Sequence, residues 1–283
     1  MNIHFHMGRA ALLGVCAVAL AAPVVAQDEK ELGWFDSAEL TFVSTGGNAS
    51  QSTFGLKNAL DRIWENSAFR FQLGGIRTES TTNIRTASGT ASAFNVDETS
   101  TSDVTAENYF ARGRYEQNVS ASMFVYGGAG WDRNTFAGID NRYGFVTGVG
   151  RAWSETETFK LRTDVGVTYT IQDDVVDDPT RNDSFAGLRA GYGLTRKLSA
   201  TTDFASDLIV DENLDDTDDL RADFTNSIAV AMSGSLALKA SLQLLYDKQP
   251  ALEEIPLGLG NTTVFTPLGT TDRVFTLAVV LTF

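Results

Sequence analysis

Charged side chains recur at every second or fourth position along much of this chain, as in Lys160-x-Arg162-x-Asp164, Arg221-x-Asp223 and Asp203-x-x-x-Asp207. Residues two apart on a strand share a face, so such spacing gathers charge on one side of a sheet. Lys57, Arg70, Arg112, Arg114, Lys160, Arg162, Arg189, Arg221 and Lys239 fall on such faces, with Glu39, Asp61, Asp164, Asp203, Asp207 and Asp223 among them. Charges turned into an interior must be paired and hydrogen-bonded or stay hydrated. Two uses fit: a cross-linked filling that stiffens the structure, or the wall of a watery passage that selects solutes.

Acid–base catalysis is a poorer fit. Asp203 and Asp207 lie about 13–14 Å apart along a strand, too far to share a proton. The acidic clusters Asp173, Asp174, Asp177, Asp178 and Asp183, then Asp211, Asp215, Asp216, Asp218 and Asp219, carry the oxygens that Ca²⁺ or Mg²⁺ prefers. Neither has the glycine and final glutamate of an EF-hand loop, and a solvated acidic rim is expected instead, with no bound metal or cofactor.

Both histidines, His4 and His6, and the single cysteine, Cys16, fall inside residues 1–26. That stretch reads as a cleaved signal peptide. Arg9 supplies the positive region, Ala10 to Ala22 the apolar run, and Val24-Val25-Ala26 the small residues before the cut. Residues 27–283 then hold no histidine or thiol, which excludes a Ser-His-Asp triad, a histidine metal site, a cysteine nucleophile and a disulfide. No spacing singles out a serine nucleophile either, and no enzymatic activity is expected. The formal charge of −14 argues against nucleic acid as a partner.

Twelve strand-like segments must position these charges. In Phe159–Gln172, Phe159, Leu161, Val165, Val167, Tyr169 and Ile171 oppose Lys160, Arg162, Asp164, Thr168 and Gln172. So wide an apolar face suits lipid. In the final ten residues Phe275, Leu277, Val279, Leu281 and Phe283 alternate with smaller or polar ones. That length crosses a bilayer as a tilted strand. A terminal Phe after such alternation resembles the C-terminal assembly signal of bacterial outer-membrane barrels, which implies the barrel-assembly machinery as a partner. The connections Trp64–Ser67, Glu116–Ser120, Ser154–Glu157, Thr195–Ser199 and Ala231–Ser235 are short and all fall at one end. The longer ones fall at the other, including Thr78–Asp103, which reads as a polar surface loop, and Asp247–Thr271. Trp34, Tyr115, Trp153, Tyr169, Tyr246 and Phe283 sit near strand ends, where aromatic girdles meet the two interfaces. The expectation is an all-β, antiparallel transmembrane β-barrel of about twelve strands over residues 27–283. It has short periplasmic turns and longer outer loops, and outer-membrane lipid and lipopolysaccharide are its surroundings.

The stretch Phe42–Gln51, FVSTGGNASQ, together with Tyr126–Gly130 and Gly187–Gly193, resembles the YdiY-like family of salt-induced outer membrane proteins, a domain of unknown function. The resemblance implies a Gram-negative envelope location and a part in salt or envelope adaptation, without an activity. Within that frame Lys57, Arg70, Arg112, Lys160, Arg162, Asp164, Arg189, Arg221, Asp223 and Lys239 are the candidate lumen lining. The competing readings are a small porin-like channel for hydrophilic solutes or ions and, third, a lipid-modifying enzyme.

Overall fold

The computed structural model describes residues 32–45, 49–90, 93–256 and 263–282. The expected signal peptide, the turn residues 46–48 and Phe283 lie outside them. The strands are β1 (Gly33–Thr45), β2 (Ala49–Ile63), β3 (Ser67–Thr90), β4 (Ala93–Asn118), β5 (Met123–Asn134), β6 (Ile139–Glu155) and β7 (Phe159–Asp174). They continue with β8 (Ser184–Lys197), β9 (Thr202–Asn213), β10 (Leu220–Ala231), β11 (Leu236–Asp247), β12 (Leu252–Pro256), β13 (Thr263–Pro267) and β14 (Thr271–Thr282). A 3₁₀ turn at Thr135–Ala137 is the one helical element among the described residues.

Twelve strands close into an antiparallel barrel in the order β1-β14-β11-β10-β9-β8-β7-β6-β5-β4-β3-β2, and β12-β13 forms a separate hairpin. Closure leaves no free edge along the wall, the condition that lipid imposes on a sheet. The register puts the apolar face of each strand outside. Phe42, Phe54, Phe145, Val165, Val167, Phe275 and Leu277 are each at least half exposed. A soluble sheet buries such residues, whereas a barrel wall gives them to lipid. This is a transmembrane β-barrel.

Two stretches differ from the sequence reading. Thr78–Asp103 is not a loop. β3 and β4 continue through it in register, from Glu79↔Val104 to Thr90↔Ala93, as a ribbon rising past the end of β2, whose last pair with β3 is Ala49↔Thr82. Its Ser, Thr and Asn content suggested a loop. A two-stranded ribbon in water, however, needs no apolar face, and it is tied by Thr81 to Ser102 (2.7 Å) and Ser100 to Asn83 (2.7 Å). The Asp247–Thr271 connection likewise contains the β12–β13 hairpin.

At the short-turn end, Arg62 lies 5.5 Å from the Trp34 ring and 5.4 Å from that of Trp64, and Trp64 meets Tyr115 edge-on. Trp153 stacks under Arg151 and donates its indole N–H to Thr163. A cation over an indole, with a polar group in reach, is suited to a lipid–water boundary. At the long-loop end four connections interlock. Arg181 donates to the Gln249 carbonyl (2.5 Å), Lys248 meets Asp218 (2.6 Å), Gln249 donates to Asp216 (2.9 Å), and Val175 N–H donates to the Gly138 carbonyl (2.8 Å). Gly138 has φ +78°, and a Cβ there would meet the Ala251 Cβ at 2.4 Å. Only glycine allows that close approach.

The Gln249 amide holds the Asp216 carboxyl below its ordinary range. A lowered carboxylate contributes stability fully above its unfolded pKa, about 3.9, and loses it as pH falls through the lowered value. Hydrogen-exchange protection factors, each taken relative to the intrinsic rate at the same pH, are therefore expected to be higher in the β9–β10 and β11–β14 connections at pH 7 than at pH 3, with those of the barrel strands unchanged. Equal protection at both pH values would show that this contact does not hold the loops.

Candidate functional site: a charged lumen

The barrel encloses a cavity of about 2410 Å³. Its lining runs from Glu65, Asn118, Thr158 and Ser233–Ser235 in the short turns to Pro250, Glu253 and Leu268–Thr271 in the outer connections. The void is thus continuous along the height of the barrel. Nine of the ten lumen candidates line it: Arg70, Arg112, Lys160, Arg162, Asp164, Arg189, Arg221, Asp223 and Lys239. The tenth, Lys57, is sealed into the wall at 7% exposure and reaches Glu39 at 4.0 Å.

Most of the cations are bonded to a neighbouring strand. Arg70 forks onto Asp61 (2.5 and 2.7 Å) and Arg189 onto Asp211 (2.7 and 2.8 Å). Two parallel N–H donors on one carboxylate fix both side chains against the wall. Arg112 pairs with Asp132. Glu116 joins Arg114 (2.8 Å) and Arg162 (2.7 Å), and Arg114 also reaches Asp164 (3.3 Å). Beneath this cluster Arg114 lies 3.7 Å from the Tyr126 ring and Arg162 4.2 Å from that of Phe124. Towards the outer end Arg221 meets Asp219 (3.3 Å), and Arg142 donates to Gln172 (2.7 Å). Lys239 of β11 reaches past β14 to Glu39 of β1 (2.8 Å).

The wall is not uniform. β3 to β8 present to the cavity Arg70, Arg112, Arg114, Arg142, Lys160, Arg162, Arg189 and Lys197 with Glu116, Asp132, Glu155 and Asp164, whereas β9 to β14 present Asp203, Asp207, Asp211, Glu212, Asp223, Asp247 and Asp272 with Arg221, Lys239 and Arg273. Among the described residues, Asp203, Asp207, Asp223, Asp247 and Asp272 have no cationic partner within 4 Å. The carboxylates of β9 to β14 are thus less closely paired than Glu116, Asp132 and Asp164 of β4 to β7.

Sequence reasoning missed Glu116, Phe124 and Tyr126. Glu116 reads as a turn residue, but β4 continues to Asn118 and turns its carboxylate inward, two residues from Arg114 on the same face. The Arg112-x-Arg114-x-Glu116 alternation was the available signal. Alternation alone gives no preferred face to β4 and β5, because Tyr109-Phe110 and Phe124-Val125 are adjacent aromatic or apolar pairs. The structure turns Phe110, Phe124 and Tyr126 inward, at 5%, 2% and 3% exposure. In the terminal strand Phe275, Leu277 and Val279 face outward, at 65%, 63% and 40%, with Leu281 on the same face. The two acidic connections bring no group of three metal-ligating side chains together among the described residues.

The model of the family described as "Protein of unknown function, DUF481" matches residues 38–255, from β1 to β12. The chain belongs to this family. No curated protein sequence matches it. Among solved structures it is similar to the NanC porin, with 11% identity over 88% of this chain and 97% of that one and a TM-score of 0.45. An outer membrane channel from Pseudomonas putida F1 is 12% identical over 92% and 100%, with a TM-score of 0.46. The translocator domain of the autotransporter NalP from Neisseria meningitidis is 13% identical over 90% of both, with a TM-score of 0.41.

Proposed function

We propose that the protein is a narrow channel of the bacterial outer membrane for small hydrophilic solutes. The observation that carries this reading is the continuous cavity, lined at every level by charged side chains. A lumen serving only as a stiff filler would close its carboxylates onto cations, because a buried charge without a partner or water is costly. Several carboxylates of β9 to β14 instead line the cavity, half-buried and without a cation within 4 Å, and need water to solvate them. A water-filled bore through a bilayer passes ions. The part in salt adaptation that the YdiY-like resemblance implies has no residue in the structure that speaks for it. Lipid modification has no histidine or thiol in residues 27–283 to draw on.

Planar-bilayer recording on the purified full chain tests the proposal. Stable unitary current steps are expected, with cations preferred because the uncompensated lumen charge is negative. Asp164→Lys is expected to shift the reversal potential in a salt gradient towards anions. A protein that migrates as a folded, heat-modifiable barrel yet never conducts would overturn the reading.

A further inference from the structure

The connection between β11 and β14 is laid across the outer mouth of the barrel. It leaves the ring between those two neighbouring strands, and the β5–β6 connection leaves it at the point diametrically opposite, with six strands separating the two on either side. The two connections nevertheless touch. A Cβ on Gly138 would lie 2.4 Å from the Ala251 Cβ and 3.2 Å from Leu268 Cδ1. Ala251 is 5% exposed, and Leu268 N–H donates to its carbonyl (2.9 Å), which brings both limbs of the connection onto Gly138 together. Connections rooted on opposite rims can meet only over the bore. Pro250 and Leu268 accordingly line the cavity from one side of the mouth, and Ala137 and Ile139 from the other.

The seat is held more firmly than the strap that rests on it. Thr135–Ala137 is a 3₁₀ turn whose Ala137 N–H is held by the Asn134 side chain (3.1 Å), and Val175 N–H holds the Gly138 carbonyl (2.8 Å). At its roots the connection continues the barrel ladder. Tyr246 is paired with Thr271, Asp247 N–H donates to the Thr270 carbonyl (2.9 Å), and Lys248 N–H donates to that of Leu220 (3.0 Å). Beyond the roots it is tied to the β7–β8 and β9–β10 connections by Arg181 on the Gln249 carbonyl, Lys248 on Asp218 and Gln249 on Asp216. The Lys248 and Asp218 side chains are 45% and 75% exposed, and a pair so open to water is weak and screened by salt. The strap therefore parts from its seat well before any strand leaves the wall.

Resting on the channel reading, we propose that this connection is a gate at the outer mouth. It shuts the bore while Ala251 and Leu268 rest on Gly138, and opens it by swinging about its roots at Lys248 and Thr270. The contact at the seat is apolar and lies against a residue with no side chain, so it parts without leaving a buried charge behind. A bare seat, weak ties and roots anchored in the ladder are what a reversible lid needs. A connection that only stiffened the rim would pack on its own neighbours and leave the centre of the mouth clear.

Planar-bilayer recording on the full chain tests this, in a Cys16→Ser background that holds no other thiol. Wild type is expected to show unitary steps interrupted by closures. Lys248→Cys with Asp218→Cys places two thiols where the side chains now meet, and a short bis-methanethiosulfonate joins them reversibly. Current is expected to be lost on cross-linking and to return on reduction of the same channel, a comparison made within one folded protein. Lys248→Cys alone, carrying the same reagent, is expected to keep its current, so that the loss reports the tie and not the bulk of the reagent. In the other direction, Arg181→Ala with Lys248→Ala and Gln249→Ala removes the ties. It is expected to shorten the closures about five-fold, the factor that one surface interaction corresponds to, with the heat-modifiable gel shift unchanged. Equal current before and after reduction, with closures of wild-type length in the untied variant, would overturn the gate and leave the channel intact. No current from any of these proteins, the untied one included, would defeat the channel reading itself, and this one with it.

Discussion

Gly148→Val is expected to abolish recovery of the folded barrel, whereas Gly144→Val, four residues away on the same face of β6, is expected to fold like wild type. A Cβ at Gly148 would lie 2.2 Å from the Val165 carbonyl oxygen, 2.7 Å from Gly166 Cα and 2.9 Å from the Tyr126 ring. Two of those neighbours are backbone of β7 and cannot yield without breaking the β6–β7 ladder. The third is an aromatic pinned under Arg114. Overpacking usually costs about 1–3 kcal/mol, and a clash with paired backbone belongs at or above the top of that range. A Cβ at Gly144 meets nothing within 4 Å, because that position opens onto the lumen. Heat-modifiable electrophoresis after refolding into detergent compares the two directly. A compact wild-type band for Gly148→Val would show that the aromatic layer over these glycines is looser than its geometry.

Glu39→Gln is expected to lower barrel stability by about 3–5 kcal/mol, the usual cost of removing one partner from a buried charge cluster. β1 and β14 are joined over Ser37–Leu40 and Val279–Thr282 alone, whereas β1 and β2 are paired from Gly33↔Ile63 to Thr45↔Gln51. The seam is therefore the weakest join in the ring, and Lys239, Glu39 and Lys57 tie β11, β1 and β2 together across it. Side-chain exposures of 5%, 15% and 9% leave little water to take over from the carboxylate. The glutamine keeps the shape but removes the carboxylate that both ammonium groups face. Urea unfolding in detergent micelles gives the comparison. The triple variant Glu39→Gln, Lys57→Met, Lys239→Met should recover much of the loss, because it also removes the two buried ammonium groups. A Glu39→Gln midpoint equal to wild type would mean that the short β1–β14 ladder suffices to close the barrel without the ion cluster.

The sequence by itself determined which faces meet lipid and which meet the interior. In Phe159–Gln172 or Leu236–Tyr246, apolar and polar residues alternate with the period of a strand, and a one-residue slip would put every charge into lipid. Segregation of short and long connections to opposite ends is likewise a property of chain order, so the twelve-stranded antiparallel barrel was legible. Where adjacent residues were both aromatic or apolar, as at Phe124-Val125, the alternation fell silent. The register of the neighbouring strands then decided, placing Phe124 and Tyr126 over the glycines of β6 and β7. The tall β3–β4 ribbon also escaped the sequence, because a solvated ribbon has no apolar face to leave a pattern.

What only the tertiary structure decided is which charges meet. Alternation says that Lys239, Asp207 and Gln72 point inward. It cannot say that Lys239 crosses β14 to reach Glu39, or that Arg162 of β7 reaches Glu116 of β4. Those relations depend on the closure of the ring and on its register, and both are set by pairings between strands far apart in the chain.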